Sequence, residues 1–134
     1  MKKYKVLLDT NMLMLIGKGI DVFTQIEDLL EAKVEFYVIK PVLKELEKIA
    51  TKGNLKERKS ARLALNLINK YCKVIEIEKP SGTSVDELLA YLASRQGFIV
   101  ATNDKELRRK LRERGIPEIY FREEKHLLEA QGIA

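Results

Sequence analysis

The stretch Tyr4-Lys5-Val6-Leu7-Leu8-Asp9-Thr10-Asn11 runs from a short apolar segment straight into an acid and two small polar residues. Val6, Leu7 and Leu8 do not alternate with polar residues, as expected of a strand covered on both faces in a parallel sheet. Asp9 then falls at the strand's carboxyl end. The pattern returns at Phe98-Ile99-Val100-Ala101-Thr102-Asn103-Asp104, again an apolar run closing on an acid. Two such segments far apart in one chain point to an open α/β sheet, whose ligands gather in the crevice beyond the carboxyl ends of the strands.

Outward from these two segments, short β-forming runs alternate with helical periodicity, the signature of βαβ units. Strands are expected at residues 4–8, 35–39, 74–77, 98–101 and 118–121. Apolar stripes mark the helices between them: Val22, Ile26, Leu29 and Leu30; Val42, Leu46, Ile49 and Ala50; Ala61, Ala64, Leu65, Ile68, Tyr71 and Cys72; and Val85, Leu88, Leu89, Leu92 and Ala93. Leu107 and Leu111 anchor another helix, and residues 123–130 are expected to form a last short one. Pro41 suits a first helical turn. Asn54-x-x-Glu57, Ser84-x-x-Glu87 and Asn103-x-x-Glu106 have capping-box spacing, and Gly97 and Gly115 stand where helices should stop. The expectation is one domain spanning residues 1–134, of α/β class, with a parallel sheet of about five strands.

Composition narrows the chemistry. The chain has 134 residues, 46% of them apolar, enough for a packed core. No apolar run approaches a membrane span, and Met1-Lys2-Lys3-Tyr4-Lys5 leads into no cleavage-type segment, so a cytoplasmic protein is expected. One cysteine, Cys72, and one histidine, His126, exclude an internal disulfide and a Cys/His zinc site. His126 lies far from the expected crevice and is read as a surface or packing residue. Lys and Arg number 25 against 20 Asp and Glu, a net charge of +5 that favours a polyanionic partner.

Four acids carry the chemical reading. Asp9, Asp86 and Asp104 stand where a strand ends or a helix begins, and Glu45 lies about one turn into the Pro41 helix. Singly, each is also a plausible cap, turn or surface residue, since helix dipoles favour acids in the first turn. Together on one sheet edge they repel one another unless a cation intervenes. The arrangement therefore reads as a divalent-metal site, and the basic chain around it makes a phosphodiester the natural substrate. Asn11 either steadies Asp9, bonds a water beside the ion, or caps the segment that follows.

The ordered set Leu7-Leu8-Asp9-Thr10-Asn11, Val42-Leu43-Lys44-Glu45-Leu46, Ser84-Val85-Asp86-Glu87-Leu88 and Ala101-Thr102-Asn103-Asp104 resembles the PIN-domain family of nucleases from about Lys5 to Arg122. The segment from Val100 to Pro117 looks most like the rRNA-processing branch of small-subunit assembly, and the VapC-type toxins share the same four acids. The resemblance implies a three-layer α/β/α sandwich with sheet order 3-2-1-4-5 and acids beside strands 1 and 4. It implies a metal-dependent endoribonuclease acting on single-stranded RNA, using one or two Mg²⁺ or Mn²⁺ ions. Asp9 and Asp104 would ligate directly, while Glu45 and Asp86 bind a second ion or orient water, giving 5′-phosphate and 3′-hydroxyl ends. Thr102 matches a position where the family often has a hydroxyl, and Asn11 and Asn103 complete the supporting set.

RNA contacts are expected from Lys105, Arg108, Arg109 and Arg112, and from Lys56, Arg58 and Lys59. Such contacts hold phosphates without reading sequence. The plain alternative is solvated helix faces, given the interspersed Glu57, Glu106 and Glu113. With no Trp and few Phe or Tyr outside the strands, target choice is assigned to a protein partner. The run Met12-Leu13-Met14-Leu15-Ile16 is either core or a homodimer face. Two other classes compete: a non-catalytic RNA-binding assembly module, and a phospho-accepting receiver-like domain.

Overall fold

In the computed structural model, which describes residues 3–133, Val6, Leu7 and Leu8 are fully buried at the centre of the sheet. They belong to β1 (Lys3–Leu8), which lies between β2 (Lys33–Ile39) and β4 (Ile99–Ala101), parallel to both. Beyond β2 lies β3 (Cys72–Ile75), and beyond β4 lies β5 (Glu118–Arg122), also parallel to their neighbours. A sixth strand, β6 (Leu127–Gln131), pairs antiparallel with β5 and completes the order β3-β2-β1-β4-β5-β6.

The order reverses at β1, and that sorts the helices. Right-handed crossovers toward β2 and β3 put α1 (Thr10–Met14), α2 (Val22–Leu30), α3 (Lys40–Lys52) and α4 (Leu55–Tyr71) on one face. The crossovers through α5 (Val85–Gln96) and α6 (Lys105–Glu113) run the other way and cover the opposite face. Contacts agree: α1, α3 and α4 pack together, as do α5 and α6. Between α1 and α2 a 3₁₀ turn (Leu15–Lys18) rests on α4 so closely that a Cβ on Gly17 would fall 1.8 Å from the Ser60 hydroxyl oxygen.

The Asn54–Glu57 capping box is complete, each side chain bonding the other residue's amide at 2.9 Å. Ser84 accepts from the Glu87 amide at 3.1 Å, and Gly97 takes the left-handed stop at φ 72°. At α6 the cap is Asp104 rather than Asn103, because Asn103 is drawn sideways to β5.

Two expectations change. Residues 123–130 form a 3₁₀ turn (Glu123–Lys125) and strand β6 instead of a helix. His126, at φ 54°, reverses the chain there, and Leu128 pairs with Phe121 while its amide donates to Gln25. The apolar cluster in this segment fits either period; the unpaired edge of β5 decides in favour of a strand. Helix α4 stops at Tyr71, so Cys72 opens β3 two residues before the expected start and Tyr71 is exposed rather than on the buried stripe. In the run from Met12 to Ile16 the core reading holds for Met12, Leu13, Leu15 and Ile16, which are buried, while Met14 is half-buried.

Candidate active site

Asp9 follows β1 directly, and its amide donates to the carbonyl of Ala101 in β4 at 3.0 Å, tying the two strand ends together. Its carboxylate caps α1. Oδ1 accepts from the Thr10 amide at 2.8 Å; Oδ2 accepts from the Thr102 hydroxyl at 2.7 Å and from Asn11 Nδ2 at 3.2 Å. The side chain is held by neutral donors alone. Burial pushes its pKa above the usual carboxylate value, the Thr102 and Thr10 bonds oppose that, and the charges of Glu45 and Asp104 add to the rise.

Asp104, two residues beyond Thr102, accepts from the Leu107 amide at 2.9 Å as the cap of α6, and its own amide donates to the Thr102 hydroxyl oxygen at 3.1 Å. Thr102 thus ties the Asp9 carboxylate to the backbone of Asp104 through one buried oxygen. Asp86, in the first turn of α5, is half-buried, and its pKa is raised by burial first, then by Asp104 and Asp9. Glu45 is exposed on α3, close enough for its charge to act on Asp9. The fold therefore brings all four sequence-selected acids within electrostatic reach at one edge of β1 and β4.

A second chain of bonds fixes the floor. Asn11 Oδ1 accepts from the Asn103 amide at 2.8 Å, and Asn103 Oδ1 accepts from the Phe121 amide at 2.8 Å. Two asparagines thereby lock the carboxyl ends of β1, β4 and β5 in register. Amides serve here because each must accept from a backbone donor without adding charge beside the acids.

Among the described residues, none of the four acids forms an ion pair, although Glu35, Glu76, Glu87, Glu106, Glu113, Glu118, Glu124 and Glu129 all do. Uncompensated carboxylates with only oxygen donors suit a hard cation such as Mg²⁺ or Mn²⁺. No three of them stand at metal-holding spacing among the described residues. Such ions keep several waters and need only one or two direct carboxylates, so Asp9 and Asp104 would be enough to hold one, with Asp86 and Glu45 reaching it through water.

The basic residues are less available than their number suggests. Arg108 Nε donates to the buried Glu118 at 2.6 Å while its guanidinium stacks 3.6 Å from the Tyr120 ring centre, and Arg112 reaches the same carboxylate oxygen at 3.5 Å. Arg109 bridges Glu106 and Glu113; Lys110 and Arg114 both hold Glu87. Lys105 alone on α6 lacks an ion pair among the described residues. Lys56 and Lys59 are exposed on α4 and Arg58 is half-buried there.

Two open grooves, each about 710 Å³, adjoin the acids along the carboxyl edge of the sheet. One is lined by Asn11, Lys18, Asn103, Lys105, Tyr120 and Phe121 among others, the second by Lys40, Lys44, Glu76 and Lys79 among others. Lys56, Arg58 and Lys59 line neither. Lys18 and Lys44 are cations that charge clustering in the sequence did not single out, since neither lies in a basic run. No helix among the described residues is long and apolar enough to cross a membrane.

The family described as PIN like domain matches residues 6–124, which include every one of the four acids. The chain belongs to the PIN domain family. Relatives of this PIN domain include Ribonuclease VapC4 of Methanocaldococcus jannaschii, 35% identical over 125 residues that cover 92% of this chain and 94% of the relative. Ribonuclease VapC9 of Archaeoglobus fulgidus is 36% identical over 121 residues, covering 90% and 84%. In three dimensions the PIN domain is similar to the PIN domain endonuclease Utp24, with a TM-score of 0.78 and 25% identity, over 98% of this chain and 93% of that one. Both branches named from the sequence are thus represented among its relatives.

Proposed function

We propose that this PIN domain is a divalent-metal-dependent endoribonuclease that hydrolyses single-stranded RNA. The observation that carries the reading is the set of four mutually repelling, unpaired acids around Asp9 in a chain of net charge +5. A module that only binds RNA gains nothing from carboxylates aimed at a phosphate backbone. An ion held there would screen the phosphate's charge and make an attacking water more acidic.

The chain's own groups prepare that step. Asp9 and Asp104 would hold the ion, and the Thr102 hydroxyl steadies both by donating to the Asp9 carboxylate and accepting from the Asp104 amide. Asp86, whose pKa is raised, takes up the proton released from the water more readily than an ordinary carboxylate. Glu45, exposed on α3, would orient water. The Asn11 and Asn103 bonds keep the strand ends from shifting as charge changes.

The identities to the two VapC ribonucleases favour a VapC-type enzyme whose target and activity are set by a protein partner. The second reading, a role in rRNA processing, rests on the resemblance of the segment from Val100 to Pro117, while the likeness to the endonuclease Utp24 supports cleavage itself. The test common to both is cleavage of a mixed single-stranded RNA pool in Mn²⁺, Mg²⁺ or EDTA by wild type, Asp9→Asn and Asp104→Asn. Metal-dependent cutting by wild type alone supports the enzyme. Equal activity of wild type and variants refutes the site, and binding without cutting in any metal favours the assembly module.

A further inference from the structure

We infer that the groove formed by Asn11, Lys18, Asn103, Lys105, Tyr120 and Phe121 is a nucleotide subsite, taking the residue of single-stranded RNA next to the scissile phosphate. The inference rests on the nuclease reading but concerns a different set of atoms. Lys18 and Lys105 each hold a phosphate beside that nucleotide, and an aromatic ring of β5 offers the base a surface to stack on.

Continuity with the acids is the first support. Asn11 bonds Asp9 and also lines the groove; Asn103 precedes Asp104 and lines it too. A strand whose phosphate lies at Asp9 and Asp104 must therefore place an adjoining nucleotide either here or in the groove of Lys40 and Lys44. Charge is the second support. Cations that are tied to carboxylates have little left for RNA, and that removes Arg108, Arg109, Lys110, Arg112 and Arg114. Among the described residues, neither Lys18 nor Lys105 forms an ion pair, and both are exposed. Arg122 also lines the groove but is held by Glu129 at 2.9 Å; Glu123 and Glu124 line it as well.

Aromatic content separates the two grooves. Single-stranded nucleic acid is bound by a basic track combined with stacking side chains. The Lys40 groove has no aromatic residue, whereas this one has two of the chain's nine Phe and Tyr residues. Arg108 already covers the Tyr120 ring at 3.6 Å and the Tyr120 hydroxyl bonds Glu129, so the ring is fixed before any base arrives. A volume of about 710 Å³ is in the range that encloses a small organic ligand, large enough for a nucleotide.

The test uses a single-stranded RNA in EDTA, which withholds the metal that cleavage needs, with fluorescence anisotropy across a salt series. Lys18→Ala/Lys105→Ala should weaken binding at least tenfold and flatten the slope of log affinity against log salt by about 1.4, two phosphate contacts at about 0.7 each. Lys56→Ala/Lys59→Ala should bind as wild type does. On wild-type protein, RNA should protect Lys18 and Lys105 from acetylation several-fold while Lys56 and Lys59 stay reactive. Unchanged affinity in the first variant, equal loss in the second, or no protection of Lys18 and Lys105 overturns the subsite. Failure of the nuclease reading looks different: wild type then cuts no RNA in any metal, yet the first variant still loses binding.

Discussion

Asp9 and Glu118 are both buried carboxylates of the same sheet, 6% and 0% exposed, yet they are treated in opposite ways. Glu118, at the start of β5, has Arg108 and Arg112 on one oxygen. Asp9, at the end of β1, has a hydroxyl and two amides and, among the described residues, no cation. A buried charge with a guanidinium partner is a fixed structural element; a buried charge without one waits for a mobile cation. The difference is hard to attribute to chance in a chain with 25 Lys and Arg, most of whose α6 cations are bound to glutamates. Only two residues apart along the sheet, the paired acid is the structural end of this contrast and the unpaired one its chemical end.

The largest expected effect lies at the chemical end. Asp9→Asn or Asp104→Asn should lower metal-dependent RNA cleavage by about 10³-fold or more, because either change removes charge at the point where phosphate charge must be met. Circular dichroism and thermal melts should report a folded protein in both cases. An Asp9→Asn enzyme that still cuts at a tenth of the wild-type rate would break the contrast outright.

At the structural end, Arg108→Ala should destabilise the fold by about 3–5 kcal/mol, the usual cost of leaving a buried carboxylate without its partner. Urea unfolding measures it directly. A loss below about 1 kcal/mol would mean that Glu118 is compensated by Arg112 alone, and that the two carboxylates differ less than their surroundings suggest.

Thr102→Val tests the link between the acids. Its hydroxyl donates to Asp9 and accepts from the Asp104 amide, so the variant should lose about 10–100-fold in Mn²⁺ affinity by calorimetry, the range for groups that orient metal ligands. Ions should also raise the melting temperature of wild type and not of Asp9→Asn, since only a binding-competent native state is stabilised by mass action.

The smallest effect is the dependence on pH. Asp9 has a raised pKa in the fold, so its contribution to stability is complete below the ordinary value of 3.8 and is lost as pH rises through the raised one. Without metal, Asp9→Asn should therefore melt higher than wild type at neutral pH, by about 2–4 °C for a shift worth 1 kcal/mol, and the two should converge in acid. Cleavage should move the other way with pH, climbing as Asp9 and Asp86 lose their protons. A wild type more stable than Asp9→Asn at pH 7 in EDTA would show that the neutral donors outweigh burial and repulsion.

Much of this molecule follows from local order in the sequence. Val6-Leu7-Leu8-Asp9 and Ile99-Val100-Ala101 had to be inner strands, because runs of apolar β-formers need cover on both faces, and the helices between them carry their stripes and caps in plain view. Those features placed Asp9, Asp86 and Asp104 at element ends before any contact was known. What local order did not carry is partnership. Nothing in Leu127-Leu128-Glu129-Ala130 distinguishes a helix from a strand until β5 offers it an open edge. Nothing in the run from Lys105 to Arg114 says that Arg108 and Arg112 turn inward to Glu118 and that Lys105 stays free, or that Lys18 joins it across the groove. Periodicity and capping act over a few residues, so the sequence by itself determined the elements and the positions of the acids. Charge pairing and edge closure act between residues far apart in the chain, and only the tertiary structure decided them.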